Sequence, residues 1–324
     1  MSITLITGGA GFIGGHLARA LTAAGTAVRA VDDLRVTPLI KPDNGLLRKR
    51  VLDLTSDDLR GVDVVYHLAS EKNVPLSFEM PLKYLENLTS TEHLLRLCVE
   101  ANVRRVVVAS TCEVYGRARR LPTAESEPLA PLSPYAASKV AMEMVSHIYQ
   151  RATELGGRIS VVRLFNVFGP GERPDAVVPR FCAGALADSR LPIEGDGTQR
   201  RDFSYIDDVV DRLRHIPLVK SVPFLNIGSG RSFSVLEIAD ILKEISPMTT
   251  VTHSSERPNE IPEFRADTTL LDRLLPLDRS MTEFREGMIK TLEWWSSNSA
   301  ALSDAMWTLP TSQEGLQDLL QPTQ

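Results

Sequence analysis

Cysteine is scarce in this chain. The three cysteines, Cys98, Cys112 and Cys182, are odd in number and scattered, with no CxxC pair. That excludes a disulfide framework, leaves no metal-ligand spacing, so no metal is expected, and suits a reducing compartment. Positive charge is not in excess either: a net charge of −5 offers no basic footprint, so nucleic acid is not expected as a partner. No apolar run approaches the ~20 residues that cross a bilayer, and no membrane association is expected. The strand-like segment that begins at residue 3 leaves no room for a signal peptide, so the expectation is a soluble, cytoplasmic protein. No internal repeat or low-complexity block occurs. What remains is 324 residues, 43% hydrophobic and 24% charged, enough for one large α/β unit or two modest domains.

The chain opens on the apolar strand Ile3-Thr-Leu-Ile-Thr7, which runs into Gly8-Gly-Ala-Gly11-Phe-Ile-Gly14 and then an amphipathic helix from about His16 to Ala24. Glycines at this spacing between strand and helix let backbone amides cradle a pyrophosphate. The next strand, Val28-Arg-Ala-Val31, ends in Asp32-Asp33, 24 residues after Gly8. A carboxylate there accepts hydrogen bonds from the adenosine ribose and repels a 2′-phosphate, which favours NAD over NADP. Arg35 is the opposing signal, because a nearby arginine can serve a phosphate.

A second stretch, from Ala109 to Lys139, carries the chemistry. Ser110-Thr-Cys-Glu-Val-Tyr-Gly116 follows the apolar strand Arg105-Val-Val-Val-Ala109, and Tyr135-Ala-Ala-Ser-Lys139 follows a Pro-rich loop. Tyr135 and Lys139 lie four apart, on one face of a helix. A phenol of pKa ~10 is a poor base at neutral pH, and a nearby ammonium favours its phenolate. Thr111 can offer a hydroxyl to the same substrate oxygen. The set reads as a device for taking a proton from an alcohol while a hydride leaves.

Between these stretches, Val51-Leu-Asp53-Leu54 is expected to end a third strand, with Asp53 either meeting the adenine or capping the helix near Asp57–Leu59. Val62–Ala69 is a buried strand whose small end, Ala69-Ser70, lets a cofactor pass. His67 inside it reads as a packed core histidine. A helix is expected over Pro81–Glu100. After the strand Ile159–Phe165 come the turn-rich Asn166–Gly171, a helix over Phe181–Ala187 and the polar loop Gly195–Asp202. Phe203–Ile206 and Leu225–Ile227 are expected to return to the sheet, with a helix near Val235–Ile245. Alternating strands and helices imply a parallel sheet covered on both faces. Arg201 and Arg257 could clamp a diphosphate through fork geometry. Beyond Leu309 the tail is polar.

The motifs TGGAGFIG, HLAS, STCEVYG, YAASK, RLFNVFGPG, RRDFSYIDDVV, NIGSG and ERPNE together resemble the extended short-chain dehydrogenase/reductases, in the nucleotide-sugar epimerase and dehydratase family. The resemblance spans nearly the whole chain. It implies a Rossmann-like doubly wound parallel sheet with a smaller interleaved α+β substrate lobe. The dinucleotide domain would be 1–165 with segments near 203–230. The nucleotide-sugar lobe would be 166–324, mainly 166–202 and 231–308. It implies NAD as cofactor, held by Gly8, Gly11, Phe12, Ile13, Gly14, Asp32, Asp53, Leu54, Leu68, Ala69, Ser70, Lys72, Asn87, Ser110, Tyr135, Lys139 and Phe165. Lys72, Asn166, Arg201, Arg257 and Glu260 would hold a UDP-sugar, and the protein would be a homodimer.

Within that family, 4,6-dehydratases typically carry Thr-Asp-Glu before Val-Tyr-Gly, and 4-epimerases carry small residues. Here Thr111-Cys112-Glu113 resembles the UDP-N-acetylglucosamine 5,6-dehydratase type that serves tunicamycin biosynthesis. A C4 ketone acidifies the C5 proton, which Glu113 can take. A thiol near pKa ~8.5 keeps its proton at neutral pH with little help, so Cys112 can be the acid that expels the C6 hydroxyl. The expected catalytic set is Thr111, Cys112, Glu113, Tyr135 and Lys139. Two bland roles stand beside it: Cys112 as a small space-filler and Glu113 as a surface charge. The carbon that receives the returning hydride is not legible; 4-epimerase and 4,6-dehydratase are the rival activities, and a non-catalytic NAD sensor is the rival class.

Overall fold

Seven strands form one parallel sheet in the computed structural model, which describes residues 3–36, 38–39, 45–155, 157–187, 190–219, 222–255, 260–276 and 280–298. The strands are β1 (Ile3–Thr7), β2 (Ala27–Asp32), β3 (Leu47–Arg48), β4 (Val62–His67), β5 (Arg105–Thr111), β6 (Ile159–Leu164), β7 (Asn166–Phe168), β8 (Arg190–Glu194), β9 (Arg200–Tyr205), β10 (Phe224–Ile227), β11 (Ser232–Ser234) and β12 (Thr250–Ser254). The large sheet runs β10-β6-β5-β4-β1-β2-β3. Its order reverses between β1 and β4, the crevice where such sheets bind dinucleotides at their carboxyl edge. The fold is α/β and Rossmann-like.

The helices are α1 (Phe12–Ala23), α2 (Val74–Glu79), α3 (Leu85–Glu100), α4 (Pro134–Ala152), α5 (Val177–Ala187), α6 (Ile206–His215), α7 (Val235–Ile245), α8 (Thr269–Leu274) and α9 (Phe284–Ser297). Side chains alternate across each strand, so successive residues enter opposite cores. Ile6, Tyr66 and Val107 pack with Leu17 of α1 and Val209 and Leu213 of α6. Leu5, Val65, Val106 and Val108 pack with Leu94 of α3 and Met142 of α4. Both faces are therefore covered, which explains why the central strands read as near-continuous apolar runs. Local signals set the helix starts. Ser133 accepts a hydrogen bond from Ala136 N at 3.0 Å ahead of Pro134, and Ser234 with Glu237 forms a capping box on α7.

Several expectations change. Val51–Asp53 is a 3-10 turn, and the third strand is the shorter β3 before it. Asp53 is not the cap of the turn at Ser56–Leu59; Thr55 and Asp58 form its capping box. The helix expected over Pro81–Glu100 begins with a 3-10 turn, Pro81–Tyr84, and α2 precedes it. The polar loop from Gly195 ends early, because Arg200–Tyr205 is β9. That strand does not return to the large sheet: it pairs with β7 and β11 in a three-stranded sheet, while β8 and β12 form a pair of their own. Among the described strands that follow β6, only β10 rejoins the large sheet, beside β6. Strand propensity does not encode which neighbour a strand takes, and here the short connection from β6 to β7 carries the chain off the sheet.

Candidate active site

The glycine turn sits at the strand-order reversal. Gly8 has φ +68°, and a Cβ there would lie 2.7 Å from Ala69 N; a Cβ on Gly14 would lie 2.1 Å from Gly8 O. Both closures need the bare backbone. The first turn of α1 has no side-chain cap, so its amides are open to an anion. Asp32 at the end of β2 accepts Ala10 N at 3.1 Å and Leu34 N at 2.9 Å, which fixes its carboxylate beside that turn. These residues fit a dinucleotide: an amide cradle for pyrophosphate next to an oriented carboxylate for the ribose.

Across the crevice, β5 delivers Thr111, whose Oγ1 accepts Glu113 N at 3.2 Å and caps the 3-10 turn Cys112–Tyr115. Tyr135 lies in the first turn of α4, buried and edge-on to Tyr84 with ring centres 6.2 Å apart. Burial pushes its phenol up; a hydrogen bond with Thr111 opposes this, and the Glu113 charge adds to it. Lys139 is buried in the next turn, and its Nζ donates to Ala109 O at 2.8 Å. Burial pulls its ammonium down to about 7, against the opposing charge of Glu143. The two residues share a helix face as the spacing implies. The expected lowering of the phenol is not seen, because the ammonium is engaged by the Ala109 carbonyl and burial dominates.

Cys112 is 4% exposed and packs with Phe165, Ile261 and Phe264. Burial, then Glu113, pushes its thiol well above the ordinary range, with Arg201 opposing. It therefore stays protonated at neutral pH. Glu113 is half-buried beside it.

The remaining expected residues divide. Leu68, Ala69 and Ser70 follow β4 at the crevice, and Ser110 lies at the end of β5. Ser110 donates its hydroxyl to Glu143, and Asn87 is taken up by Ser70, Glu71 and Ser138, so both tie the site's walls together. Leu54 and Phe165 are buried in apolar clusters, whereas Asp53 is exposed. His67 is a core residue, its ring between Thr7 Oγ1 (2.8 Å) and Thr91 Oγ1 (3.0 Å), and burial lowers it to about 3.

On the substrate side, Asn166 opens β7. Arg201 and Glu260 come together as an ion pair, and Arg201 Nη1 also donates to Ile261 O at 2.8 Å. Arg257 lies outside the described residues. Lys72 lies near Glu172, Arg173 and Asp175, a loop that sequence reasoning passed over. Its one signal was charge inside the Gly-Pro-rich turn after β7.

Beneath the site runs a buried network that sequence reasoning also missed. Arg163 of β6 pairs with Glu143 of α4 at 2.7 Å and donates to Tyr115 Oη at 2.9 Å, and Tyr115 donates to Asn226 Oδ1 at 2.6 Å. A charge inside the apolar run of β6 was the available clue. Among the described residues no cluster of His, Cys, Asp or Glu could hold a metal, and no helix is long and apolar enough to cross a membrane.

Comparison with known proteins agrees with this geometry. The profile of the NAD dependent epimerase/dehydratase family matches residues 4–219. The chain belongs to that family. It is an NAD-dependent enzyme of the nucleotide-sugar epimerase/dehydratase kind. It is 54% identical to TunA, described as an NAD dependent NDP-hexosamine 5,6-dehydratase involved in tunicamycin biosynthesis, over 92% of this chain and 98% of that one, with a TM-score of 0.89. It is 34% identical to MoeE5, solved with UDP-glucose and NAD, over 92% of this chain and all of that one (100%), with a TM-score of 0.84. A UDP-glucuronate 4-epimerase of Thermodesulfobacterium geofontis is 32% identical, over 92% of this chain and 97% of its own length.

Proposed function

We propose that this enzyme dehydrates a UDP-sugar, UDP-N-acetylglucosamine, to its 5,6-alkene without net oxidation. The observation that carries the reading is Thr111-Cys112-Glu113 at the end of β5 beside Tyr135, in a chain 54% identical to a hexosamine 5,6-dehydratase. NAD bound at the Gly8–Gly14 turn supplies the transient oxidation of C4 and its reversal. Tyr135, with Thr111, would hold the 4-hydroxyl and, as the phenolate that a positively charged nicotinamide ring favours, take its proton. Glu113 takes the C5 proton, and Cys112 gives its proton to the departing C6 hydroxyl, which leaves as water. The proton gained by Glu113 balances the one lost by Cys112, so the pair resets by a single transfer. A 4-epimerase needs neither group, which argues against that rival. A sensor needs no Tyr135.

Lys72, Asn166, Arg201, Arg257 and Glu260 belong to this reading as holders of the nucleotide diphosphate. So does a homodimer, supported by Met144 and Ile148, which are 61% and 58% exposed one turn apart on α4. The test is incubation with UDP-N-acetylglucosamine. The expected product has lost one water and carries a vinylic CH2 by NMR, and deuterium placed at C4 stays at C4. An unchanged mass with inverted C4 would mean an epimerase. A methyl group bearing the label would mean a 4,6-dehydratase.

A further inference from the structure

Arg35 lies three residues beyond Asp32, where a guanidinium can accept the 2′-phosphate of NADP. Its surroundings decide otherwise. Leu34 adopts a left-handed conformation, φ +58°, held by its N–H to Asp32 Oδ1. The turn brings Arg35 Nε to Asp33 Oδ2 at 2.7 Å. Its Nη1 then reaches Glu71 Oε1 and Glu86 Oε2, each at 3.1 Å, and its Nη2 reaches Glu86 Oε1 at 2.6 Å. All three nitrogens of the guanidinium face carboxylates, and Glu86 takes two of them in a fork. Arg50 and Lys83 complete the cluster, at 3.2 Å from Glu86 and from Glu71. Among the described residues of the cluster, Arg35, Arg50 and Lys83 therefore balance Asp33, Glu71 and Glu86, leaving no surplus positive charge for a phosphate dianion. The Glu86 carboxyl is held below its usual range by Arg35, so the clamp is charged at neutral pH.

We propose that Glu86, assisted by Glu71, is a specificity determinant that holds Arg35 away from the adenosine ribose and makes this enzyme select NAD over NADP. Glu86 sits in the first turn of α3 and Glu71 follows β4, so neither shares the strand-end loop that identifies the cofactor in the sequence. The inference rests on the dinucleotide site alone and is independent of which sugar is dehydrated.

The test is equilibrium dialysis of the full chain against equimolar NAD+ and NADP+, with the retained nucleotide identified by mass. Wild type is expected to retain NAD+ almost alone. Glu86→Ala should raise the retained NADP+ to NAD+ ratio about ten-fold or more, because freeing a guanidinium restores a charge-assisted hydrogen bond to phosphate. Adding Glu71→Ala should raise it further. The double variant Glu86→Ala/Arg35→Ala should fall back towards wild type. An unchanged ratio in Glu86→Ala overturns the proposal, as does a gain that persists without Arg35, which would mark a general loss of negative charge. Glu86 is on the surface, and a thermal unfolding midpoint for each variant separates misfolding from altered choice. If wild type retained neither nucleotide, the dinucleotide reading itself would fail, an outcome distinct from loss of selectivity.

Discussion

The ammonium of Lys139 donates to the Ala109 carbonyl at 2.8 Å, tying the helix that carries Tyr135 to the strand that ends in Thr111. The bond crosses between two elements and sets their spacing where the substrate alcohol would lie. It also places a buried cation against two neutral acceptors, that carbonyl and the Met142 sulfur at 3.8 Å.

That burial has a pH signature. The ammonium titrates near 7 in the folded protein, against about 10.4 in an unfolded chain. Between those values the unfolded state binds more protons, so stability of the protein without NAD should rise with pH across that window. Below 7 both states are charged and the slope vanishes. Urea unfolding of wild type and Lys139→Met across pH 6–10 checks this: the difference between them should shrink the variant's advantage as pH rises. A difference independent of pH would remove the buried-cation account.

Tyr135→Phe should leave NAD retention near wild type and lower turnover by about 10²–10⁴-fold, the usual contribution of a positioned proton acceptor. Product formation from UDP-N-acetylglucosamine, with bound nucleotide counted by absorbance, measures both. A variant that turns over normally would return the protein to the sensor class.

Cys112 and Glu113 can be told apart by solvent exchange. In D2O, Cys112→Ala should still exchange the C5 hydrogen of the substrate while losing water about 100-fold more slowly, because the base remains and the acid is gone. Glu113→Gln should stop both. If Cys112→Ala dehydrates at the wild-type rate, the thiol is packing only.

Glu143 and Arg163 are 1% and 3% exposed at their side chains. Glu143→Gln leaves Arg163 buried without its counter-charge and should cost about 3–5 kcal/mol, read from urea midpoints. The double variant Glu143→Leu/Arg163→Leu should cost less than the two single changes added together, since it leaves no orphaned charge. Additive losses would show that the two side chains act separately.

Ile148→Asp should convert a homodimer into a monomer in sedimentation without shifting the unfolding midpoint of the fold. A wild-type chain that already sediments as a monomer would end the dimer proposal.

Legibility followed the range of the interaction. Gly8, Gly11 and Gly14 were readable because a tight strand-to-helix turn restricts residue type within a few positions. The helix face shared by Tyr135 and Lys139 was readable from a four-residue spacing, and His67 from its place inside an apolar run. Asp53 was misplaced because an Asp at a strand end and an Asp in a 3-10 turn look alike in sequence. The strand at Phe203 was recognised, but its sheet was not, since alternation says only that a strand has two faces.

By itself, the sequence determined the main strands of the large sheet, the dinucleotide turn and the helix face shared by Tyr135 and Lys139, because backbone freedom and side-chain period are local properties. The tertiary structure alone decided partners: Ala109 for Lys139, Glu143 for Arg163, Glu260 for Arg201, and Glu71 and Glu86 for Arg35. Each of those pairs joins different elements of the chain. Their protonation and reach depend on which helix covers which strand, and that is settled by packing, through burial and charge at distances no sequence spacing records.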